Sequence, residues 1–416
     1  MADKSALDDI TEIINATHDE PSRRDASLAA LAQLEGVELR SQPQEALQQL
    51  AQSVSEKLLQ PQLLPTDGSS KTGDATSVLI GETALSCLTA ISSALQEALD
   101  GEVLVVLLAY TNPSSPYASD RAAELANSLL SNQLADDDKL THFIVEVVLK
   151  GTLRPLFSKS TSRVTSSGRP SHLEQPAKSA TATTDGEAPW KQAGGIATMA
   201  RLQWAVKASN EALIRAHWPL FAPPLLTVVE DTSTVYRAYG LEILDMFVAK
   251  CPAEILQSTG LHAIIEDAVF PTLMFLPSLT PEDESISLLH PAYRTLICLA
   301  ERNHSKQEEK SRRSLDRLVR GGIIAGYHHA SQYPRIVEVL MAYTATIVNH
   351  LGLSASRHLE ARDTHGCEEI SQQLIAISNG LQQIWKQSQL DLSPRLSELM
   401  ARRPQLAELF AGIQAQ

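Results

Sequence analysis

This chain of 416 residues has reactive side chains, but few of them stand at the spacings that chemistry requires. His328 and His329 are adjacent. On a helix their rings point about 100° apart, so they cannot grip one metal ion as an i, i+4 pair does. They read as surface or groove histidines, and an unfamiliar enzyme site would have to be assembled from them and His290. Glu266–Asp267 and Glu282–Asp283–Glu284 offer paired carboxylates. Acids in the first turn of a helix mainly answer its dipole, which is the simpler reading of the second group and of Asp136–Asp138. Gly321–Gly322 is followed by no lysine or hydroxyl in phosphate-cradle register, so it reads as a flexible joint. Cys87, Cys251, Cys298 and Cys367 stand far apart with no C-x-x-C pair. They are expected to be buried thiols in a reducing compartment, with no disulfide framework and no zinc site. P-loop, dinucleotide, nucleophile-elbow, zinc-protease and EF-hand signatures are missing from the sequence. The expectation is a protein that is not an enzyme, with no catalytic residue, cofactor or metal.

Composition narrows the alternatives. Hydrophobic residues make up 43% and aromatics only 5%, a balance that suits helix-on-helix packing. The formal charge of -14 argues against a nucleic-acid binder. Met1–Glu20 is acidic and lacks the apolar centre of a signal peptide. The longest uninterrupted apolar run, Val103–Tyr110, is far shorter than a bilayer span. A soluble, intracellular protein without a membrane partner is expected.

Apolar residues recur at helical spacing almost everywhere. Leu7, Ile10 and Ile14 share a face, as do Leu28, Leu31 and Leu34, with Gly36 as the stop. Leu47, Leu50, Val54 and Leu58 form a third stripe backed by glutamines. Ile80, Ala84, Leu88, Ile91, Leu95 and Leu99 form a fourth. Ser115–Pro116 reads as an N-cap and first-turn pair opening a helix with Ala118, Ala122, Leu125 and Leu129. Leu140, Ile144 and Val147 follow. The β-branched patches Val103–Val106 and Ile144–Val148 are assigned to helices, because no hairpin turn flanks either. Later stripes are Met199, Leu202, Val206 and Leu213; then Tyr236, Tyr239, Ile243 and Phe247 after possible caps Thr232 and Thr234. Thr280–Pro281–Asp283 makes a near capping box for a helix carrying Ile286, Leu289, Tyr293, Leu296 and Ala300, kinked at Pro291. Val337, Leu340, Thr344, Ile347 and Leu351 follow, then Ile370, Leu374, Ile377, Leu381 and Ile384. Pro219, Pro223, Pro224, Pro252, Pro271, Pro277, Pro281 and Pro291 are expected between these segments or near their ends. Short helices broken by proline, at a pair spacing of about 40 residues, give the predicted fold class: all-α, a HEAT/armadillo-like α-solenoid of stacked antiparallel helix pairs.

Phe157–Pro189 interrupts the stripes with Ser and Thr and almost no apolar residues. It reads as a mobile loop with Thr184 as an acidophilic phosphorylation candidate. The expected organisation is N-terminal repeats over 1–156, the loop over 157–189, a core over 190–360 and divergent C-terminal helices over 361–416. Trp204, Trp218 and Trp385 are assigned to packing, and Trp190 to the core or to an interface peg that pins the loop. The basic run Arg302–Arg320 reads as a solvated helix face, with contact to an acidic partner as the other option.

Four stretches also resemble a known family. They are Leu153–Arg169 (LRPLFSKSTSRVTSSGR), Ala188–Lys191 (APWK), His217–Leu244 and Thr259–Leu296, which contains LPSLTPE. They look like the Tel-two-interacting protein two family, the smallest subunit of the TTT co-chaperone complex. The likeness spans roughly Lys150–His350; the ARDTHGCEE that follows departs from it. The resemblance implies a non-enzymatic helical-repeat scaffold. Its partners would be the two larger TTT subunits and, indirectly, phosphatidylinositol-3-kinase-related kinases and the Hsp-ninety machinery. It also implies the cytoplasm as location, with the nucleus as a second one. Arg154, Arg169, Trp190, Lys191, Arg237 and Glu282 are the partner-contact candidates inside these motifs. Helix capping or salt bridging is the competing role for the charged ones. An unrelated α-solenoid adaptor in transport or scaffolding is the alternative.

Overall fold

The computed structural model describes residues 3–17, 19–59, 75–113, 115, 118–158, 188–302 and 308–351. Every regular element among these residues is helical, so the described fold is all-α. It divides into two compact units, Met1–Ile264 and Ile265–Gln416, and the division falls inside the stretch 190–360. Most of the expected 157–189 loop, Arg169 and Thr184 included, lies outside the described residues. So does everything after Leu351, with the stripe from Ile370, Cys367 and Trp385.

The first unit opens with α1 (Asp3–Asn15), α2 (Glu20–Glu35), α3 (Gln44–Lys57) and α4 (Ala75–Ala94). The predicted faces of α1 and α3 are buried. α2 is turned differently from the leucine stripe: Ala26, Ser27, Ala30 and Leu34 face inward, and Leu28 is exposed. Its small residues meet α4, where side-chain size sets how closely two helices approach. α4 stops at Ala94, so Leu95 and Leu99 are not part of its stripe. Glutamines satisfy the backbone that leaves the helix. Gln44 Oε1 accepts from Gln96 N–H at 2.9 Å, Gln133 Oε1 accepts from Leu99 N–H at 3.0 Å, and Gln48 Nε2 donates to the Ala98 carbonyl at 2.8 Å. Part of the glutamine face of α3 thus clips a loop in place.

Next come α5 (Gly101–Leu107), α6 (Asp120–Gln133), α7 (Asp137–His142), a π-helical stretch Phe143–Leu153 and α8 (Arg154–Phe157). Both β-branched patches are helical. The wide π turns face six residues inward, Phe143, Ile144, Val145, Val148, Leu149 and Leu153, a broader band than a 3.6-residue stripe. α6 is capped by Ser119, whose hydroxyl accepts from Ala122 N–H at 3.1 Å, and not by Ser115, which is buried in the preceding turn.

The unit is completed by α9 (Pro189–Gln192), α10 (Gly195–Ala208), α11 (Glu211–Val229), α12 (Thr234–Lys250) and α13 (Ala253–Ser258), while α14 (Leu261–Val269) spans the division. α10 ends at Ala208, so Leu213 belongs to α11, which Asn210 caps by accepting from Leu213 N–H at 2.8 Å. The cap position of α12 is Ser233, between the two threonines. Pro219, Pro223 and Pro224 lie inside α11, contrary to the expected breaks. Each proline removes a helical N–H and would cost a solvated helix about 3 kcal/mol. Phe221, Ala222, Leu225, Leu226, Val228 and Val229 are buried. That apolar burial, much of it against α12, offsets the missing donors. α4 and α11 are long and apolar enough to cross a bilayer by length and composition; both are partly buried against neighbouring helices.

The second unit holds a 3₁₀ turn Phe270–Met274, α15 (Glu282–Arg302), α16 (Glu308–Leu318), a π-helical stretch Val319–Ile324, α17 (Ala325–Ala330) and α18 (Pro334–Leu351). α15 packs on α16, α18 and the 3₁₀ turn. Tyr293 stacks on Tyr343 at 4.9 Å between ring centroids. Pro291 lies within α15. Gly321 and Gly322 are a packing contact rather than a joint: a Cβ on Gly321 would lie 2.8 Å from the Phe270 ring, and one on Gly322 3.0 Å from Leu273. In the basic run, Arg313 pairs with Glu309, and Arg317 pairs with Glu266 at 2.9 Å while covering Phe270.

Candidate functional site

Proline opens α9, where its missing N–H costs nothing, and the next residue, Trp190, turns inward. Trp190 is 1% exposed. Its indole stacks on Phe157 at 5.7 Å and meets Tyr236 edge-on at 4.9 Å. Segments on either side of 159–187 are thereby held against α12. A left-handed Gly194, φ 81°, then starts α10, and Gly195 brings its backbone against Tyr236; a Cβ there would fall on the phenol.

Lys191 continues the cluster outward. Its Nζ lies 2.9 Å and 2.8 Å from the two oxygens of Asp231, and 5.1 Å and 5.0 Å above the rings of Trp190 and Tyr236. The pair is largely shielded, at 15% and 13% side-chain exposure. Asp231 ends the VVED stretch after α11. Its carboxylate accepts from Ser233 N–H at 2.8 Å, an Asx turn that sets the entry to α12. Its carbonyl accepts from Arg237 Nε at 3.0 Å and Nη2 at 2.7 Å. Burial lowers the Arg237 pKa, and the neighbouring Asp231 and Glu230 oppose that. Arginine nevertheless keeps its proton at any physiological pH. The cluster locks α9, the α11–α12 turn and α12 together.

The structure thus brings Trp190, Lys191 and Arg237 into one place. Arg154 is exposed at the start of α8. Glu282 is half-buried in the second unit, 3.9 Å from Arg335, which lies closer to Asp283 at 2.7 Å. At the same helix start, Ser285 N–H donates to the Pro281 carbonyl. Sequence reasoning passed over Asp231, and it placed Tyr236 only in a helical stripe and Phe157 only at the edge of the Ser/Thr-rich stretch. An Asp directly before Thr-Ser at a helix boundary signals an Asx turn, but nothing local points to a lysine 40 positions earlier.

His290 Nδ1 lies 3.1 Å from the Tyr343 hydroxyl, while His328 and His329 are exposed on α17. Among the described residues no group of three His, Cys, Asp or Glu could hold a metal ion. Burial pushes the Cys87 thiol up to about 12, which keeps it protonated and unreactive.

The Tti2 family model matches residues 103–362, from within α5 to beyond α18, and so covers the whole cluster. This chain belongs to the Tti2 family. No solved structure matches it. Tti2 proteins are non-catalytic scaffolds, and membership supports a general role as a subunit of the TTT complex. In this Tti2-family chain the APWK motif packs inward through Trp190 and ties down through Lys191.

Proposed function

We propose that the chain is a scaffold subunit that binds the two larger TTT subunits and, with them and the Hsp-ninety machinery, supports the maturation and stability of phosphatidylinositol-3-kinase-related kinases. The observation that carries this is the family match over 103–362. Its helices would stack as HEAT/armadillo-like antiparallel pairs; the packing of α11 on α12, and of α15 on α18, supports that reading. It would work in the cytoplasm, with the nucleus as a second location. Binding would be by surface presentation: the Trp190–Asp231 lock fixes the helices, and exposed side chains such as Arg154 meet the partner.

Affinity purification of the full chain followed by mass spectrometry tests this. The two larger subunits are the expected stable partners, with the kinases in lower yield. A stable set drawn from transport or cytoskeletal proteins would overturn it. Arg154→Ala should weaken capture of a larger subunit with helicity intact. Arg237→Ala should act through the Asp231 turn, so a drop in melting temperature should accompany any loss of capture.

A further inference from the structure

Leu279 is 94% exposed, far more than any other large apolar side chain among the described residues. The turn that carries it is tightly built. Leu276 N–H donates to Met274, Leu279 and Thr280 N–H both donate to the Leu276 carbonyl, and the Ser285 hydroxyl reaches the Thr280 carbonyl. Leu276, Pro277 and Thr280 are buried beneath, with Leu276 seated near Gly326 of α17. Met274 and Pro281 at the two ends of the turn are exposed as well. The fold therefore spends three anchoring residues to hold one leucine in water. A partner gains from that, because an already ordered backbone loses little further entropy on docking.

The surroundings say what kind of partner fits. Glu282, Asp283 and Glu284 follow directly in the first turn of α15. Arg335 pairs with the first two, and Glu338 of α18 adds another negative charge beside Arg335. The rim is acidic, in keeping with the net charge of -14, so the complementary surface is apolar at its centre and basic around it. We propose that the Met274–Pro281 turn is a preformed docking knob, whose Leu279 enters an apolar socket rimmed by Lys and Arg on one of the larger TTT subunits. This rests on the TTT reading above and adds the contact residue and the chemistry of its receptor.

The test co-expresses the full chain with both larger subunits and compares wild type, Leu279→Ala, Leu279→Asp, Asp283→Lys and Leu28→Asp. Capture is measured at low and high salt, with thermal melts of each variant alone. Both Leu279 variants should lose capture by about tenfold or more at unchanged melting temperature, the scale of an interface hot spot. Asp283→Lys should weaken capture mainly at low salt, and Leu28→Asp, on the exposed face of α2, should behave as wild type. Normal capture by Leu279→Asp overturns the inference. So does a matching fall in the melting temperature of both Leu279 variants, or self-association that Leu279→Asp abolishes, which would make a second copy the occupant. If wild type captures neither larger subunit, the TTT reading itself fails, and that result is distinct from a Leu279 variant failing beside a competent wild type.

Discussion

Around Trp190 the unusual side chains turn inward, whereas around Leu279 the unusual side chain turns outward. The first region spends an indole, a lysine, an arginine and an aspartate on joining three pieces of backbone. The second spends buried residues on presenting a single leucine. Distinctive motifs of one family can therefore serve opposite ends, one fixing the scaffold and the other offering a contact. Which is which cannot be judged from how unusual the letters are.

The contrast breaks most easily at Trp190. Trp190→Ala should cost about 3–5 kcal/mol, since it empties a site between Phe157 and Tyr236, and chemical denaturation would register it. Asp231→Ala leaves Lys191 without its carboxylate. A loss of about 2–3 kcal/mol is expected, between the values for exposed and fully buried pairs, with the midpoint again read in denaturant. Gly321→Ala tests the seat of the second region by forcing a methyl against Phe270, at about 1–2 kcal/mol of overpacking seen as a lower melting temperature. Leu279→Ala should change stability by no more than about 0.5 kcal/mol, because the side chain is already in water. A large destabilisation there would erase the distinction between the two regions.

The helical stripes were legible because burial follows the 3.6-residue period directly. Leu47, Leu50 and Val54 lie where their spacing puts them. Helix ends were less legible. Ala94 ends α4 although Leu95 and Leu99 keep the period, because glutamines from α3 and α6 are there to take the freed backbone groups. Prolines misled in α11, where tertiary burial overrides a local propensity. Of the candidate site, Trp190, Lys191 and Arg237 were visible through their motifs. Their common partner Asp231 was not, since a contact across 40 residues leaves no local trace. Gly321–Gly322 shows the same gap: a glycine pair looks flexible until the ring that presses on it is known.

The stack of Phe157 on Trp190 means that α8 and α9 hold each other without help from the residues between them. The two described segments that flank residues 159–187 are joined there by their own rings, 5.7 Å apart between centroids. Because ring contact holds these two segments together, a reporter domain inserted between them should leave the melting temperature of the helices unchanged.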